Sequence, residues 1–148
     1  MELNLPQQEL KIKQEESGAT SIYDVLRRKF VALTPEEWVR QNFMGMLINQ
    51  LQYPQLLMNN EVALVQNGIK RRCDSIVYDN QCQPWMIIEY KAPSVAISQK
   101  TFEQIVRYNM VLRAKYLVVS NGINHYICKI NYETNSYEFL QSLPKYGE

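Results

Sequence analysis

Asp74, then Glu89-Tyr90-Lys91 fifteen residues on, then Gln104 and Tyr108 four apart, put two carboxylates, an ammonium, an amide and a phenol in one stretch of chain. Two carboxylates and a backbone carbonyl make an oxygen site suited to Mg²⁺, with Mn²⁺ as a substitute, because such a cation keeps several waters and takes one or two carboxylates plus phosphate. A cation held there acidifies a bound water and stabilises charge on a phosphate under attack. Lys91 would orient or deprotonate that water, or neutralise charge developing at phosphorus, and the residue types leave these roles open. A carboxylate two residues before a lysine is also common on solvated strands, and Asp74 could simply break an edge or pair with Arg72. What separates Glu89 and Lys91 from that bland reading is their place at the end of an apolar run, where burying charge is costly.

These residues matter only if the elements let them meet. Asn59–Gln66 (NNEVALVQ) alternates with period two, and Asn67-Gly68 supplies the two positive-φ residues of a tight hairpin turn. Ile69–Tyr78 returns as a second strand. Asp79–Pro84 is rich in turn formers, and Trp85–Tyr90 is an apolar run too short for a helix, suited to a strand covered on both faces. Side chains alternate along a strand, so Glu89 and Lys91 share a face, and Asp74 on the neighbouring strand can reach it.

Ala92-Pro93 ends that strand, since proline lacks the ladder donor. Ser98 opens a helical pattern to about Arg113, with Phe102, Ile105, Val106 and Met110 as its apolar stripe. Gln104 and Tyr108 lie one turn apart on it. Tyr116–Ser120 reads as a buried strand reached by a parallel crossover.

The order of helix, three-stranded meander, helix and strand, with Asp…Glu-x-Lys, resembles the PD-(D/E)XK nuclease superfamily. More narrowly, Tyr23 to Ile130 resembles the N-terminal nuclease domain of type I restriction enzyme R subunits. The stretches that carry this are LTPEEWVRQNF (33–43), KRRCDSIVYD (70–79), IIEYKAP (87–93), FEQIVRY (102–108) and AKYLVVSNG (114–122). The resemblance implies an α/β fold with a restriction-endonuclease-like core: a central mixed sheet of meander, crossover helix and parallel strand, flanked by helices. It implies Asp74 and Glu89 as metal ligands, Lys91 as the catalytic lysine, and Gln104 and Tyr108 as the glutamine–tyrosine pair of that subgroup. The activity implied is Mg²⁺-dependent endonucleolytic hydrolysis of DNA. Cys73 stands where the superfamily name has proline. Restriction subunits continue into a DNA-translocating motor, and these 148 residues hold no Gly-rich G-x-x-x-x-G-K-[ST] loop. The expectation is therefore a nuclease domain without a motor, with a separate motor or specificity subunit as partner and a homodimer as one route to double-strand cleavage. The alternative is a catalytically silent module on the same fold that binds nucleic acid or a partner.

The net charge of +1 argues against indiscriminate coating of nucleic acid. Residues 1–20 hold two lysines and four glutamates, and they read as a polar segment preceding a single domain over 21–148. Lys70, Arg71, Arg72 and Arg107 are candidate phosphate contacts, whereas Arg27-Arg28-Lys29 reads as a solvated face. Three cysteines, Cys73, Cys82 and Cys128, lack metal-ligand spacing. With no long apolar run and no signal-like start, they suggest a cytoplasmic protein that does not enter a membrane.

Thr34-Pro35-Glu36-Glu37 is a capping box: Thr34 caps, Pro35 takes the first helical position and Glu37 reaches back to the cap amide. The helix is expected to run to about Gln52 with Trp38, Val39, Phe43, Met46, Leu47 and Ile48 on its apolar side. Glu37 is also a candidate for the additional acidic residue that some superfamily members carry on this helix. His125 reads as a structural histidine. Glu9–Lys13 and Tyr137–Leu140 read as edge strands, Ser21–Leu33 as a short strand or turn, and Asn121-Gly122 as a tight turn into Ile123–Ile130.

Overall fold

Asn67 and Gly68 both take positive φ (52° and 76°) in the computed structural model, and they reverse β4 (Met58–Gln66) into β5 (Ile69–Tyr78) as the dipeptide predicts. The structure describes residues 2–148, so the expected segment 1–20 begins at a residue, Met1, outside the described part. β6 (Pro84–Tyr90) pairs antiparallel with β5, and the chain crosses through a helix to β7 (Tyr116–Ser120), parallel to β6. β8 (His125–Asn131) and β9 (Ser136–Leu140) add antiparallel strands, giving a six-stranded mixed sheet in sequence order from β4 to β9.

A smaller antiparallel sheet precedes it: β1 (Ile12–Gln14), β2 (Thr20–Asp24) and β3 (Lys29–Ala32). The strand expected at Glu9–Lys13 is displaced toward the C-terminus, and Ser21–Leu33 is a full hairpin rather than one strand or turn. Arg28, at φ 54°, makes the reversal that its sequence does not advertise. Leu3 and Leu5 pack on the main core, and Asn4 N donates to Gly122 O at 2.8 Å.

Two helices cover the main sheet. α1 (Pro35–Asn49) stops short of Gln52, and α2 (Gln99–Asn109) passes into a 3₁₀ turn at Met110–Leu112. The strand β6 is buried on both faces, as its unbroken apolar run requires. Met86, Ile88 and Tyr90 join Val39, Phe43 and Leu47 of α1 in one core cluster. Ile87 joins Phe102 and Val106 of α2 with Leu117 and Val119 in the other. Glu89, two residues after Ile87, therefore lies on the α2 side.

α1 buries more than its apolar stripe. Val39, Phe43 and Leu47 are buried as expected, but so are Glu37, Arg40, Gln41 and Asn42, while Trp38, Met46 and Ile48 are only partly covered. The small sheet and the N-terminal segment lie against the helix flank, and a Cβ on Gly45 would stand 2.7 Å from the Gln8 side chain. The second turn also differs from expectation. Asn121 Oδ1 accepts from the amides of Ile123 (3.0 Å) and Asn124 (2.8 Å), and this side-chain cap delays β8 to His125.

Candidate metal centre

The β4–β5 ladder skips one position. Asn60 pairs with Ser75 and Val62 with Cys73, but the intervening Glu61 and Asp74 do not pair, and Glu61 sits at φ 54°. The break changes which face the side chains meet. Cys73 and Ile76, three residues apart, both enter the α2-side cluster, whereas Ser75 bonds Asn60 (2.6 Å) and the Tyr90 hydroxyl (2.9 Å) on the other side. Arg40 of α1 fills the gap: Nη1 donates to Asp74 O (2.9 Å) and Glu61 Oε1 (2.8 Å). A backbone carbonyl that lost its ladder partner is thus satisfied by a guanidinium.

Asp74 lies one step beyond the pair Ser75–Ile88, opposite Glu89. Its Oδ2 accepts from Tyr90 N at 2.9 Å, and its charge bears on the Glu89 carboxyl. Lys91 follows directly, its backbone amide carried by Ser120 O of β7 at 2.8 Å. Burial, then the Asp74 charge and the Asp74 hydrogen bond, push the Glu89 carboxyl up to about 9, while the Lys91 charge and the Asn109 amide pull the other way. Burial and the Asp74 charge therefore favour the protonated form of Glu89. Cys73, next to them and fully buried, has its thiol raised to about 12 by burial and by the charges of Glu89 and Asp74, which makes it a poor nucleophile.

Among the described residues no three histidine, cysteine, aspartate or glutamate side chains cluster as a metal cage. The donors present are two carboxylates and a nearby amide. That set suits a cation that retains water, such as Mg²⁺ or Mn²⁺, better than a structural zinc or an all-protein calcium site. Burial and the Asp74 charge favour a proton on Glu89, and a divalent cation would offset both.

Other predicted residues fall at varied distances from this centre. Gln104 is exposed on α2, and no hydrogen bond ties it to Asp74, Glu89 or Lys91 among the described residues. Tyr108 is 44% exposed, with the Arg71 guanidinium 4.4 Å from its ring centroid. Arg71 Nε also donates to Tyr108 O at 2.7 Å, so Arg71 clasps the hairpin to α2. Lys70, Arg72 and Arg107 are exposed, and Arg72 reaches Glu61 at 3.4 Å rather than Asp74.

Glu37 does not reach back to the cap. Thr34 Oγ1 accepts from Glu37 N (3.1 Å), but Thr34 N bonds Ala32 O. The Glu37 carboxylate is taken by Arg40 (2.7 and 2.8 Å), Arg27 (2.7 Å) and Gln41 (2.9 Å). Burial would raise its proton affinity, but the bonds from Arg40 and Gln41, the Arg40 charge and the Arg27 bond together hold it below the ordinary range. Arg27, expected on a solvated face, is instead half-buried and also bound to Asp24. A cavity of about 340 Å³ lies along this wall, bordered by Glu37, Arg40, Glu61, Asp74 and Tyr90. His125 holds a structural post, its Nδ1 2.7 Å from Ser120 Oγ and its Nε2 2.9 Å from Asn4 O.

Arg40, Glu61 and Asn109 were not anticipated. A polar residue inside the apolar period of α2 was the available signal for Asn109. Arg40 and Glu61 carried none, because each reads as an ordinary solvent-facing charge.

The fold and the site now meet known proteins. A family model described as the type I restriction enzyme R protein N terminus matches residues 35–144. The structure matches a fragment assigned as an HsdR subunit of a type I restriction enzyme from Vibrio vulnificus YJ016, with a TM-score of 0.52 and 18% identity over 76% of this chain. At that identity the likeness concerns the fold, and this chain spans 24% of that fragment. No curated protein matches the chain. Among the described residues no helix is long and apolar enough to cross a membrane. The family match covers both helices, the strands that carry Asp74 and Glu89, and Lys91 directly after β6, so the chain belongs to the type I restriction enzyme R protein N-terminal family.

Proposed function

We propose that this domain is a nuclease that hydrolyses DNA phosphodiester bonds with a divalent cation, Mg²⁺ or Mn²⁺, at Asp74 and Glu89. The observation that carries this reading is the register that sets Asp74 opposite Glu89 near the end of β6, with Lys91 directly after that strand. The cation would supply an acidified water and charge neutralisation at phosphorus. Asp74 is aimed by the Tyr90 amide and by the Arg40 bond to its own carbonyl. Glu89 is aimed by its place in the parallel β6–β7 register, opposite Val119. Lys91, directly after β6 and close enough for its charge to bear on Glu89, would position the attacking water or meet charge on the phosphate. Gln104 and Tyr108, exposed one helical turn apart, would contact the substrate at the mouth of the site. Lys70, Arg72 and Arg107 would hold the backbone by charge alone, and such binding weakens quickly with salt.

Partners follow from size. The solved fragment is about four times as long as the share matched here, so motor or specificity functions would belong to other segments or subunits. Cutting both strands would need two such sites. The test is nicking of supercoiled plasmid at low salt with Mg²⁺ or Mn²⁺, beside Lys91→Ala and Glu89→Ala. Nicking lost in both variants and with EDTA supports the reading. Equal nicking by all three proteins marks a contaminant and removes its support, and a metal-independent DNA complex without cleavage favours a binding module.

A further inference from the structure

The β4–β5 hairpin outruns the rest of the sheet. β5 pairs with β6 only over residues 75–78, whereas its pairing with β4 continues to the Asn67-Gly68 turn. Residues 69–73 and the β4 residues opposite them therefore form a two-stranded ribbon about 17 Å long. Its two faces differ. Val62, Leu64 and Cys73 pack in the α2-side cluster, and Arg71, paired with Leu64, clasps Tyr108. Ala63 paired with Arg72, and Val65 paired with Lys70, therefore face the other way. All four are exposed, Val65 at 68%. Residues 62–73 include three basic residues and no acidic one, in a chain whose net charge is only +1. This outer face also leads to the site. Arg72 Nη2 reaches Glu61 Oε2 at 3.4 Å, Arg40 joins Glu61 to the Asp74 carbonyl, and Glu61 and Asp74 border one cavity.

We propose that this ribbon lies face-on in the major groove of duplex DNA, with Lys70 and Arg72 on the phosphates and Ala63 and Val65 toward the base edges. This rests on the reading that the domain acts on DNA. The major groove of B-form DNA, about 12 Å wide, admits a two-stranded ribbon, and small apolar side chains there meet thymine methyl groups. One exposed valine is ordinary. Two small apolar residues, each paired with a cation on a face that α2 backs from behind, have the shape and charge of a groove reader. The same face does not fit an A-form RNA duplex, whose major groove is too deep and narrow for side chains to read. The substrate class is therefore B-form duplex.

The test is binding of the whole chain, in EDTA at low salt, to a fluorescent DNA duplex and to an RNA duplex of the same sequence. The native chain is compared with Ala63→Glu and Val65→Glu by anisotropy, alongside thermal melting. The native chain should prefer the DNA duplex. Each variant should bind that duplex about tenfold or more weakly, because a carboxylate enters the groove, and should lose far less on the RNA duplex. Equal loss on both duplexes overturns the proposal, since the added charge then acts on phosphates alone. So does native affinity in both variants, or a native chain that binds the two duplexes equally or neither of them. If Ala63→Glu melts lower than the native chain, Val65→Glu, at the more open position, decides alone. Plasmid nicking separates this from the reading it rests on: a chain that passes the binding test yet cuts nothing with Mg²⁺ or Mn²⁺ sinks the nuclease and supports the groove contact.

Discussion

Arg40 Nη1 lies 2.9 Å from the carbonyl oxygen of Asp74, inserted where the β4–β5 ladder omits a pair. The guanidinium is 6% exposed and also bonds Glu37 and Glu61. Burial works against its charge, but the Glu37 bond and charge and then Glu61 outweigh this and hold it protonated more firmly than an ordinary arginine. Removing it would strand the Glu37 carboxylate in the interior and leave the Asp74 carbonyl unpaired. Arg40→Met is expected to cost about 3 kcal/mol, the scale for breaking a buried pair by removing one partner. Adding Glu37→Leu should return part of that loss, because the stranded charge goes with it. Urea denaturation of the single and double variants measures both, and a single variant as stable as the native chain contradicts the role given to Arg40.

Stability should depend on pH through Glu89. Its folded proton affinity stands at about 9, above its ordinary value of 4.5. Between those values the folded state holds a proton that the unfolded state has released, so stability falls as pH rises across that window. The contribution is complete below about 4.5 and lost through about 9. One group can contribute at most about 1.4 kcal/mol per pH unit, and partial exposure of Glu89 narrows the window over which it does so. Denaturation in EDTA from pH 5 to 9 should show a decline that Glu89→Gln flattens. An equal decline in the variant assigns the effect to other groups.

Much of this was legible because local chemistry allowed one solution. Asn67-Gly68 demands a two-residue turn, and the run from Trp85 to Ile88 demands cover on both faces, so β4, β5 and β6 and the meeting of Asp74 with Glu89 follow. The ladder break at Glu61 was not legible. NNEVALVQ alternates smoothly with no glycine or proline to mark a fault, and the fault is stabilised by Arg40 from another element. The polar half of α1 misled for the same reason. Glu37, Arg40, Gln41 and Asn42 have the spacing of a solvent face, and only partners brought up by the fold, Arg27 of the β2–β3 turn and Glu61 of β4, make them interior. The hairpin of β2 and β3 was obscured by Arg28, which takes a conformation that its side chain does not favour.

The basic residues should divide into two kinds. Lys70 and Arg107 are exposed, whereas Arg71 is engaged by the ring and carbonyl of Tyr108. Lys70→Ala and Arg107→Ala are expected to weaken DNA binding on every sequence and to lower the logarithmic salt slope by about 1 each, without loss of stability. Arg71→Ala should instead lower stability by about 1 kcal/mol, the scale of one hydrogen bond with a cation–π contact. Binding isotherms at several salt concentrations, beside melting curves, separate the two. A salt slope unchanged in Lys70→Ala and Arg107→Ala removes them from the DNA surface.

Lys91 and Glu89 should separate cation binding from chemistry. Glu89 lies opposite Asp74 in the β5–β6 register, so Glu89→Ala removes a proposed ligand and should abolish both Mn²⁺ uptake and nicking. Lys91 donates no oxygen to a cation, and its charge favours the charged form of Glu89. Lys91→Ala is therefore expected to retain Mn²⁺ binding, somewhat weakened by the change in local charge, while the cleavage rate falls about 100-fold or more, the scale of a positioned acid or base. Lys91→Arg keeps the charge but cannot give up a proton at neutral pH. A rate restored in Lys91→Arg would assign charge neutralisation at the phosphate, and a rate as low as in Lys91→Ala would assign proton transfer or the placement of water. Cleavage in Lys91→Ala at the native rate would remove the lysine from the chemistry altogether. Single-turnover cleavage alongside Mn²⁺ calorimetry on the three variants distinguishes these outcomes.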